Sequence, residues 1–466
     1  MRVPYSLIVV DREEISLTRL LLLWTGGLSL CAVGLRDEVF ALPVALLVSV
    51  TTCVAVMCGR LNVRVWWVYG RVVALAFLGV AFAQVWLFTH LHLDGPWITA
   101  LLAGYALLGC TVALTQWRGR WCYGAFLVVH VLLVLVLIRN VSVVADVQAL
   151  LDGGSAALLR GDDPYAITVP GVYGPEHDWI YGPGVLVDDR IMYGYPYLPV
   201  PLLLVLPAYV LGDVRLALVL ASVLASLLIR YVANDPLGRL AAVLILVMPV
   251  SWAMHLKYWV EPVLVLVVAA CAVQMHRGRG GALLWFGCFL ASKQYAIVHL
   301  PYLWLLVRAY GRRAALVALA VPAVLCLVFL VWDPGAFWHS AVEFHLRQPY
   351  RYDTVTLTPA LERLLGSSPD FLFGPYGLVL GGLVSALISW RCQPRAATLA
   401  AGIGLSLAVA VLFSKQGHPN YWGLIGGSLL IAVATSSERL VSPALSPAGS
   451  QAPARGRAVR GTDRRR

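Results

Sequence analysis

The sequence has little charge and few polar stretches. Only 13% of its 466 residues are Asp, Glu, Lys or Arg, whereas soluble domains carry about 25%. The mean hydropathy is +0.79. Apolar runs of roughly 20 residues, the length that crosses a bilayer core, recur along almost the whole chain. The scarcity of charge excludes a soluble domain, and the recurring runs predict a polytopic membrane protein.

Several chemical signatures are also missing. None of the nine cysteines falls in the two long polar segments, 141–195 and 333–373, so no disulfide framework is predicted. No His or Cys pair has the spacing of a metal site, and no phosphate-binding loop or dinucleotide fingerprint occurs. We therefore expect no cofactor, and the use of a divalent metal ion is left as an alternative. The first apolar run lacks a small-residue cleavage site, so we expect no cleavable signal peptide.

Positive charge is in excess, at +11. The basic residues fall in short loops between apolar runs and in the tail, which is the distribution that membrane topology requires. We therefore reject a nucleic-acid partner, for which a basic patch on a folded domain would be typical. The tail 436–466 is rich in Ser, Pro, Ala and Arg, and we expect it to be disordered, cytoplasmic and close to anionic lipid.

The distribution of Lys and Arg also predicts the orientation of the chain. The basic loops around 60–71 and 118–120 should be cytoplasmic, which places the N-terminus inside. Five spans are then expected at roughly 17–35, 39–58, 72–90, 97–115 and 122–140. Counting back from the basic tail places 333–373 outside together with 141–195. These two segments hold 13 of the 24 acidic residues but only 5 of the 35 basic ones, so charge is sorted across the membrane.

Two segments do not fit ordinary spans. If 196–212 crossed fully, every later basic loop would lie on the wrong side, and its three prolines make it a poor regular helix. We interpret it as a juxtamembrane or re-entrant helix on the outer face. The segment 282–308 has basic ends and should form two half-spans that meet near Lys293. The expected fold is an all-α membrane bundle of about twelve full spans plus these elements. The predicted regions are 1–140, 141–214, 215–332, 333–373, 374–435 and 436–466.

Carboxylates are concentrated where the chain leaves the fifth span. Asp146 follows that span closely and should lie at the level of the lipid headgroups. The stretch behind it, VQALLDGGSAALLRG, predicts a pair of short interfacial helices broken at the two glycines. Asp146 would either cap a helix that begins at Val147 or act chemically. Asp162 and Asp163, in GDDPY, would either start a turn or bind substrate.

Five motifs, taken in order, resemble the GT-C glycosyltransferases. They are Asp146, Gly161–Tyr165, Tyr195–Pro199, Ser292–Gln294 and FSKQGHPNYW at 413–422. More narrowly, they resemble glycosyltransferase family 87, the polyprenyl-phosphate-mannose-dependent mannosyltransferases of actinobacteria. The resemblance spans 140–435, with Y-P-Y-L-P in place of the family's Y-P-P-L and Gln294 in place of its proline. It implies a GT-C helical fold in the plasma membrane.

The resemblance also implies an activity. A sugar, most simply mannose, would pass with inversion from a polyprenyl-phosphate donor to a lipid or glycan acceptor on the extracytoplasmic side. Asp146 would accept the proton of the attacking hydroxyl, and outer-face cations would hold the leaving phosphate. The residues expected to bind substrate are Asp162, Asp163, Tyr165, Tyr195, Lys257, Lys293, Arg347, Arg351, Lys415 and His418. Enzymes that use such donors generally resemble the metal-free kind, so no metal ligand is assigned.

Each of these residues also has a structural interpretation. Lys257 and Lys293 border apolar runs, where a lone lysine snorkels or pairs. The segment 333–373 could be a lid in which Arg351 pairs with Asp353, and His418 could cap the last span. The rival function is a multi-pass transporter or lipid flippase. Transporters bury ionisable residues at mid-membrane and have repeated halves, whereas charges within the spans are nearly absent here and no convincing repeat occurs.

Overall fold

The structure, a computed structural model, is predominantly helical. It describes residues 14–31, 41–59, 64–66, 96–114, 120–174, 179–366 and 376–436, with a few isolated positions between 76 and 83. Within these ranges, strands occur in two short antiparallel sheets. Glu14–Ser16 pairs with Arg64–Trp66, and Arg190–Ile191 pairs with both Val169–Pro170 and Leu186–Val187. The predicted all-α fold is confirmed.

Helices of very different lengths make up most of the described part of the chain. Those of the N-terminal half are Leu17–Leu30, Ala41–Gly59, Pro96–Leu114, Arg120–Asn140, Asp146–Arg160, Pro199–Val210 and Arg215–Val232. Those of the C-terminal half are Pro236–Val247, Pro249–Leu256, Glu261–His276, Gly281–Leu290, Tyr302–Tyr310, Arg313–Trp332, Pro334–Trp338, Phe344–Arg347, Leu357–Leu365, Tyr376–Arg391, Ala396–Leu412 and Pro419–Thr435. A 3₁₀ helix, Gln294–His299, and a π-helical turn, His339–Glu343, lie between them.

The centre of the bundle is almost fully buried. It consists of Pro236–Val247, Glu261–His276, Ala396–Leu412 and Pro419–Thr435. The helix Arg313–Trp332 differs, because apolar side chains such as Leu316 and Val331 remain 72% exposed. A helix that is apolar on every face, yet exposed on most of them, suits a lipid environment.

Five helices are long and apolar enough to cross a membrane by length and composition: Leu42–Gly59, Trp121–Asn140, Arg215–Val232, Pro236–Leu256 and Arg313–Trp332. This count covers the described residues alone, and seven shorter apolar helices accompany them. The total of about twelve full spans therefore stays a prediction. The expected third span, 72–90, lies almost wholly outside the described residues, as does the tail beyond residue 436.

Both segments with irregular topology are short or interrupted. Pro199–Val210 has 12 residues, which gives about 18 Å against the roughly 30 Å of a bilayer core. The segment 282–308 is divided into the helix Gly281–Leu290, the 3₁₀ helix and a second helix. Lys293 lies in extended backbone at the first interruption. The side of the membrane on which 196–212 lies stays a prediction.

Asp146–Arg160, here called the site helix, is continuous, so the predicted break at its two glycines is wrong. The glycines allow close packing instead of a turn. A Cβ on Gly153 would lie 2.9 Å from Val169 Cγ1, and one on Gly154 would lie 3.3 Å from Tyr195 Cβ. These contacts bring the loop that follows the site helix back against its side.

The ends of the site helix are determined by charge and by a glycine. Asp146 lies in the first turn and Arg160 in the last, where each charge suits the helix dipole. Gly161 ends the helix with a φ of 79°, a conformation that favours glycine. The 15 residues give a length of about 22 Å. Asp146 and Asp162 therefore lie at opposite ends.

The N-terminal helix, Leu17–Leu30, packs against the buried centre. A Cβ on Gly426 would lie 2.8 Å from Gly26 O, so the two backbones approach closely there. Arg19 donates a hydrogen bond to Asp235 at 2.8 Å, and Asp235 is the N-cap of a central helix. The first helix is therefore part of the bundle core.

Candidate functional site

A cavity of about 220 Å³ lies at one end of the bundle, where helix ends from distant parts of the sequence meet. Its wall is formed by residues within 144–150, 173–180, 196–197, 257–259, 344–353 and 416–421, together with Lys293. The distribution of Lys and Arg predicts that all these segments face outward, and the structure brings them together. The side of the membrane on which the cavity opens stays a prediction.

Asp146 lines this cavity from the first turn of the site helix. The helix begins at Asp146 itself, with Ala145 at the N-cap position. Its Oδ1 accepts a hydrogen bond from the Val147 amide at 2.8 Å. The hydroxyls of Tyr173 and Tyr181 lie 3.5 Å from Oδ1 and Oδ2, respectively. These donors fix the orientation of the carboxylate, which remains partly exposed toward the cavity.

The surroundings of Asp146 suit a group that accepts a proton. Burial raises the pKa of its carboxyl above the usual value, while the Val147 amide and the Arg351 guanidinium lower it in part. Burial, and then the charge of Asp146, raise the pKa of Tyr173 to about 12. Both effects also raise the pKa of Tyr181. The two tyrosines are therefore protonated donors at neutral pH, and the carboxyl titrates closer to neutrality than an ordinary Asp, as general bases do.

Lys293 is half of a buried ion pair. Its Nζ lies 2.6 Å from Glu261 Oε1, and the two side chains are 4% and 0% exposed. Asn420 Nδ2 donates to the same carboxylate oxygen at 2.9 Å. On the cavity side, the ammonium lies 4.2 Å from the ring centroid of Tyr197. Lys293 is thus held inside the protein by a partner and does not snorkel.

All three lysines of the chain lie at or beside the cavity. Lys257 and Lys293 line it. Lys415 lies behind the wall and donates to the carbonyls of Leu346, at 3.2 Å, and Gln348. Burial lowers the pKa of Lys415. A chain with so few lysines therefore concentrates their charge at one site.

Arg351 also lines the cavity, and it is paired with Asp353. Two contacts of 2.8 and 2.6 Å make the pair bidentate, as the lid interpretation predicts. The guanidinium lies 5.1 Å from the ring centroid of Trp179. His418 lines the cavity from the N-cap position of the last helix, without a side-chain capping hydrogen bond.

The wall carries a small net positive charge. His345 donates from Nε2 to Pro196 O at 2.7 Å. Burial, and then the charges of Lys293 and Lys415, lower its pKa to about 4, so it is neutral at physiological pH. The charged side chains of the wall are three cations and two carboxylates, Lys257, Lys293, Arg351, Asp146 and Asp353. They sum to one positive charge, which suits an anionic ligand.

Six of the predicted substrate-binding residues lie outside the cavity wall: Asp162, Asp163, Tyr165, Tyr195, Arg347 and Lys415. Asp162 is exposed and pairs with Arg160 at 2.9 Å. Asp163 Oδ1 accepts from the Tyr165 amide at 2.9 Å, as its interpretation as a turn residue predicts. Arg347 pairs with Glu343 at 2.6 Å. Substrate binding by these residues stays a prediction.

The GDDPY turn supports the wall indirectly. Tyr165 Oη donates to the carbonyl of Tyr197, which lines the cavity, at 2.9 Å. Ser340 Oγ donates to Tyr165 O at 2.6 Å and accepts from the Gly194 amide at 2.9 Å. Tyr195 is fully buried, and its ring packs edge-on against that of Tyr165. These contacts determine where Tyr197 lies relative to Lys293.

Two Ser-Lys-Gln sequences, Ser292–Gln294 and Ser414–Gln416, hold one segment, 341–349. Gln294 Nε2 donates to the carbonyl of residue 341, and Gln416 Nε2 donates to that of residue 349, each at 2.6 Å. In both copies the serine hydroxyl bonds to a carbonyl of the apolar helix before it. This anchored segment (341–349) contributes several residues to the wall.

Sequence reasoning missed the residues that complete these contacts, chiefly Glu261, Asn420, Tyr173, Tyr197 and His345. A signal existed for Glu261, because an acid and a lysine at the ends of apolar runs are expected to pair. Tyr197 and Asn420 lie within the motifs Tyr195–Pro199 and 413–422, whereas Tyr173 and His345 carried no comparable signal. Among the described residues, no group of three or more His, Cys, Asp or Glu side chains is arranged to hold a metal ion.

Comparison with known proteins gives a limited result. No known protein family matches the sequence, and no curated protein is similar to it. Among solved structures, the crystal structure of ArnT from Cupriavidus metallidurans bound to undecaprenyl phosphate is similar, with 18% sequence identity and a TM-score of 0.40. The alignment covers 66% of this chain and 60% of that chain. This is a partial likeness between two folds, and the chain spans less than two thirds of the length of the protein it resembles.

Proposed function

We propose that the protein is an integral membrane glycosyltransferase of the GT-C type. It transfers a sugar, mannose most simply, from a polyprenyl-phosphate donor to a lipid or glycan acceptor at the extracytoplasmic face of the plasma membrane. The observation that carries the proposal is the Asp146 carboxylate, which shares one cavity with Lys257 and Lys293. A base and the cations for a leaving phosphate are the two parts that such a transfer needs.

The residues of the cavity suit a direct displacement. The acceptor hydroxyl attacks the anomeric carbon, and its proton passes to the Asp146 carboxylate as the new C–O bond forms. The bond from that carbon to the phosphate oxygen breaks, and its electron pair leaves with the phosphate. Lys293 and Lys257 stabilise the growing negative charge. A single displacement inverts the anomeric centre, and it needs one base because the phosphate leaves without a proton.

The rest of the wall suits a lipid-linked donor. Apolar side chains alternate with the charged ones, among them Val144, Leu150, Ile180 and Phe344. The cavity lies at the end of apolar helices, so a polyprenyl chain can remain in the bilayer while its sugar phosphate enters. A soluble nucleotide sugar has no prenyl chain, so it would gain nothing from a site at the ends of apolar helices. The motif order Asp146, GDDPY, SKQ and FSKQGHPNYW supports the same family of reactions.

The direct test uses purified protein in lipid nanodiscs with radiolabelled polyprenyl-phosphate sugars and a membrane lipid extract. We expect label to move from one donor into a lipid or glycan product. Asp146→Asn is the matched inactive variant, and Asp162→Asn, at the exposed end of the site helix, is the matched active one. If no donor loses label to the extract under conditions where it binds, the proposal fails.

A second candidate is a transporter or lipid flippase, and one observation favours it. The ion pair between Lys293 and Glu261 is buried among membrane helices, a setting in which transporters place coupling groups. Reconstituted vesicles with a fluorescent polyprenyl phosphate in one leaflet separate the two functions. Lipid movement between leaflets without sugar transfer would support the flippase, whereas sugar transfer without such movement would support the enzyme.

A further inference from the structure

A buried carboxylate lies behind the cavity cation. Glu261 is 0% exposed, and its Oε1 accepts from both the Lys293 ammonium and the Asn420 amide. Its other oxygen, Oε2, is buried without a hydrogen-bond partner in the described part of the chain. The displacement above does not use this group, although a buried carboxylate carries a large cost of desolvation. Because the desolvation of Glu261 is unfavourable, we expect this carboxylate to have a function.

The backbone holds the two members of this pair in place. Glu261 is the first residue of its helix, where negative charge suits the helix dipole. Lys293 lies in the extended backbone between a helix and the 3₁₀ helix. The ring centroids of three tyrosines surround the ammonium at 4.2, 5.7 and 5.5 Å, those of Tyr197, Tyr295 and Tyr421. The cation therefore has little freedom to leave its carboxylate.

This pairing changes the anion that the cavity favours. The wall alone carries three cations and two carboxylates. Two charged groups lie directly behind the wall, the Glu261 carboxylate against Lys293 and the Lys415 ammonium, and four cations against three carboxylates sum to one positive charge. Charges several ångströms apart still interact appreciably at the effective dielectric constant of about 20 that applies near a protein site. A second negative charge on a ligand phosphate would therefore meet repulsion that the local cations no longer offset.

We propose that Glu261 is a specificity-determining residue that matches the cavity to a singly charged phosphate group and disfavours a diphosphate. The inference rests on the proposed function, since it concerns the phosphate of the lipid donor. A sugar linked to a lipid by one phosphate carries one negative charge, and a sugar linked by a diphosphate carries two. Glu261 sets this preference through the Lys293 ammonium and touches no reacting atom.

The test compares binding of two probes with the same prenyl chain, a prenyl methyl phosphate with one charge and a prenyl methyl diphosphate with two. Affinities are measured by titration calorimetry at constant ionic strength. Wild-type protein should bind the phosphate more tightly. Glu261→Gln keeps the size of the side chain and an acceptor for Lys293 but removes the charge. We expect it to shift the ratio of the two affinities toward the diphosphate on the order of tenfold.

Two further variants keep the result interpretable. Glu261→Gln combined with Lys293→Met restores the net charge of the wild type, so both affinities should fall while their ratio returns to the wild-type value. Asp235→Asn weakens a different ion pair, that with Arg19, far from the cavity wall, and should leave the ratio unchanged. An unchanged ratio in Glu261→Gln would overturn this inference alone. If wild-type protein binds neither probe, the proposed function fails as well.

Discussion

The substitution Asp146→Asn tests the proposed base most directly. Asn is the same size as Asp and can still accept from the Val147 amide through its carbonyl oxygen, at the position that now lies 2.8 Å from that nitrogen. It cannot accept the proton of a hydroxyl. The turnover number should therefore fall by roughly 10²–10⁴, the usual yield of general acid–base catalysis. That range corresponds to about 2.7–5.4 kcal/mol of lost transition-state stabilisation.

The same substitution should leave the fold intact. Removing a negative charge from the first turn of a helix costs about 0.3–1 kcal/mol. A second effect opposes this cost. Burial raises the pKa of Asp146 in the folded protein, so its contribution to stability is present below the unfolded pKa and is lost as the pH rises through the folded pKa. Above its folded pKa the wild-type carboxylate is therefore ionised at some cost, and there the melting temperature of Asp146→Asn should match or slightly exceed that of the wild type.

Single-turnover transfer from a radiolabelled donor, together with donor binding and thermal unfolding, separates these effects. Asp163→Asn serves as a control because Asp163 lies outside the cavity and holds the Tyr165 amide. It should lower stability by about 1 kcal/mol with a small effect on turnover. Asp162→Asn should change neither, since its exposed pair contributes about 0–1 kcal/mol. If Asp146→Asn stays active while Asp163→Asn loses turnover at normal stability, the reasoning about the base is refuted.

Further predictions follow from the same contacts. Lys293→Met leaves Glu261 buried without its cation and should lower the free energy of unfolding by about 3–5 kcal/mol; thermal unfolding should show most of this loss recovered when Glu261→Gln is added. In the single variant Lys293→Met, donor binding should also weaken by about 1.5–3 kcal/mol. A donor affinity equal to that of the wild type would show that Lys293 does not bind the phosphate. Tyr181→Phe removes a hydrogen bond that lowers the pKa of Asp146, so the acid limb of the pH–rate profile should move to higher pH. The pKa of His345 is lowered to about 4, so its contribution to stability is present above a pH of about 6.5 and is lost as the pH falls toward 4. The melting temperature of His345→Gln should therefore change less with pH over this interval than that of the wild type. Single cysteines at positions 170 and 211, both exposed, in a background without native cysteines should react with an impermeant thiol reagent in intact cells, and protection of position 211 would show that 196–212 crosses the membrane.

The sequence predicted the residues of the cavity better than it predicted their partners. Asp146, Lys257, Lys293, Arg351 and His418 all line one wall. They could be predicted from the sequence because the positive-inside rule assigns each span end to one side of the membrane, and the ends on one side of a small bundle must lie near each other. The order of the motifs indicated which of these residues belong to one site. Neither argument requires knowing which helices are in contact.

Pairing depends on helix contacts that a single sequence does not contain. The ion pair between Lys293 and Glu261 joins two residues that are 32 positions apart in the sequence, and the Asn420 contact with Glu261 spans 159 residues. Gly153 and Gly154 predicted a break in the helix. In the structure they instead allow Val169 and Tyr195, which are distant in the sequence, to pack closely against the helix. Asp163 and Tyr195 belong to two motifs associated with function, Gly161–Tyr165 and Tyr195–Pro199, but neither residue lines the cavity.

The anchored segment (341–349) is held through its main chain, since Gln294, Gln416 and Lys415 all donate to backbone carbonyls. Every residue type supplies such a carbonyl. Substitutions along this segment therefore leave these main-chain hydrogen bonds in place while they change the chemistry that it presents to the cavity. Related proteins with a different cavity lining could arise by exchange of Phe344, His345 and Gln348. An engineer who wishes to change the lining of the cavity would randomise these three positions and leave Gln294, Gln416 and Lys415 untouched.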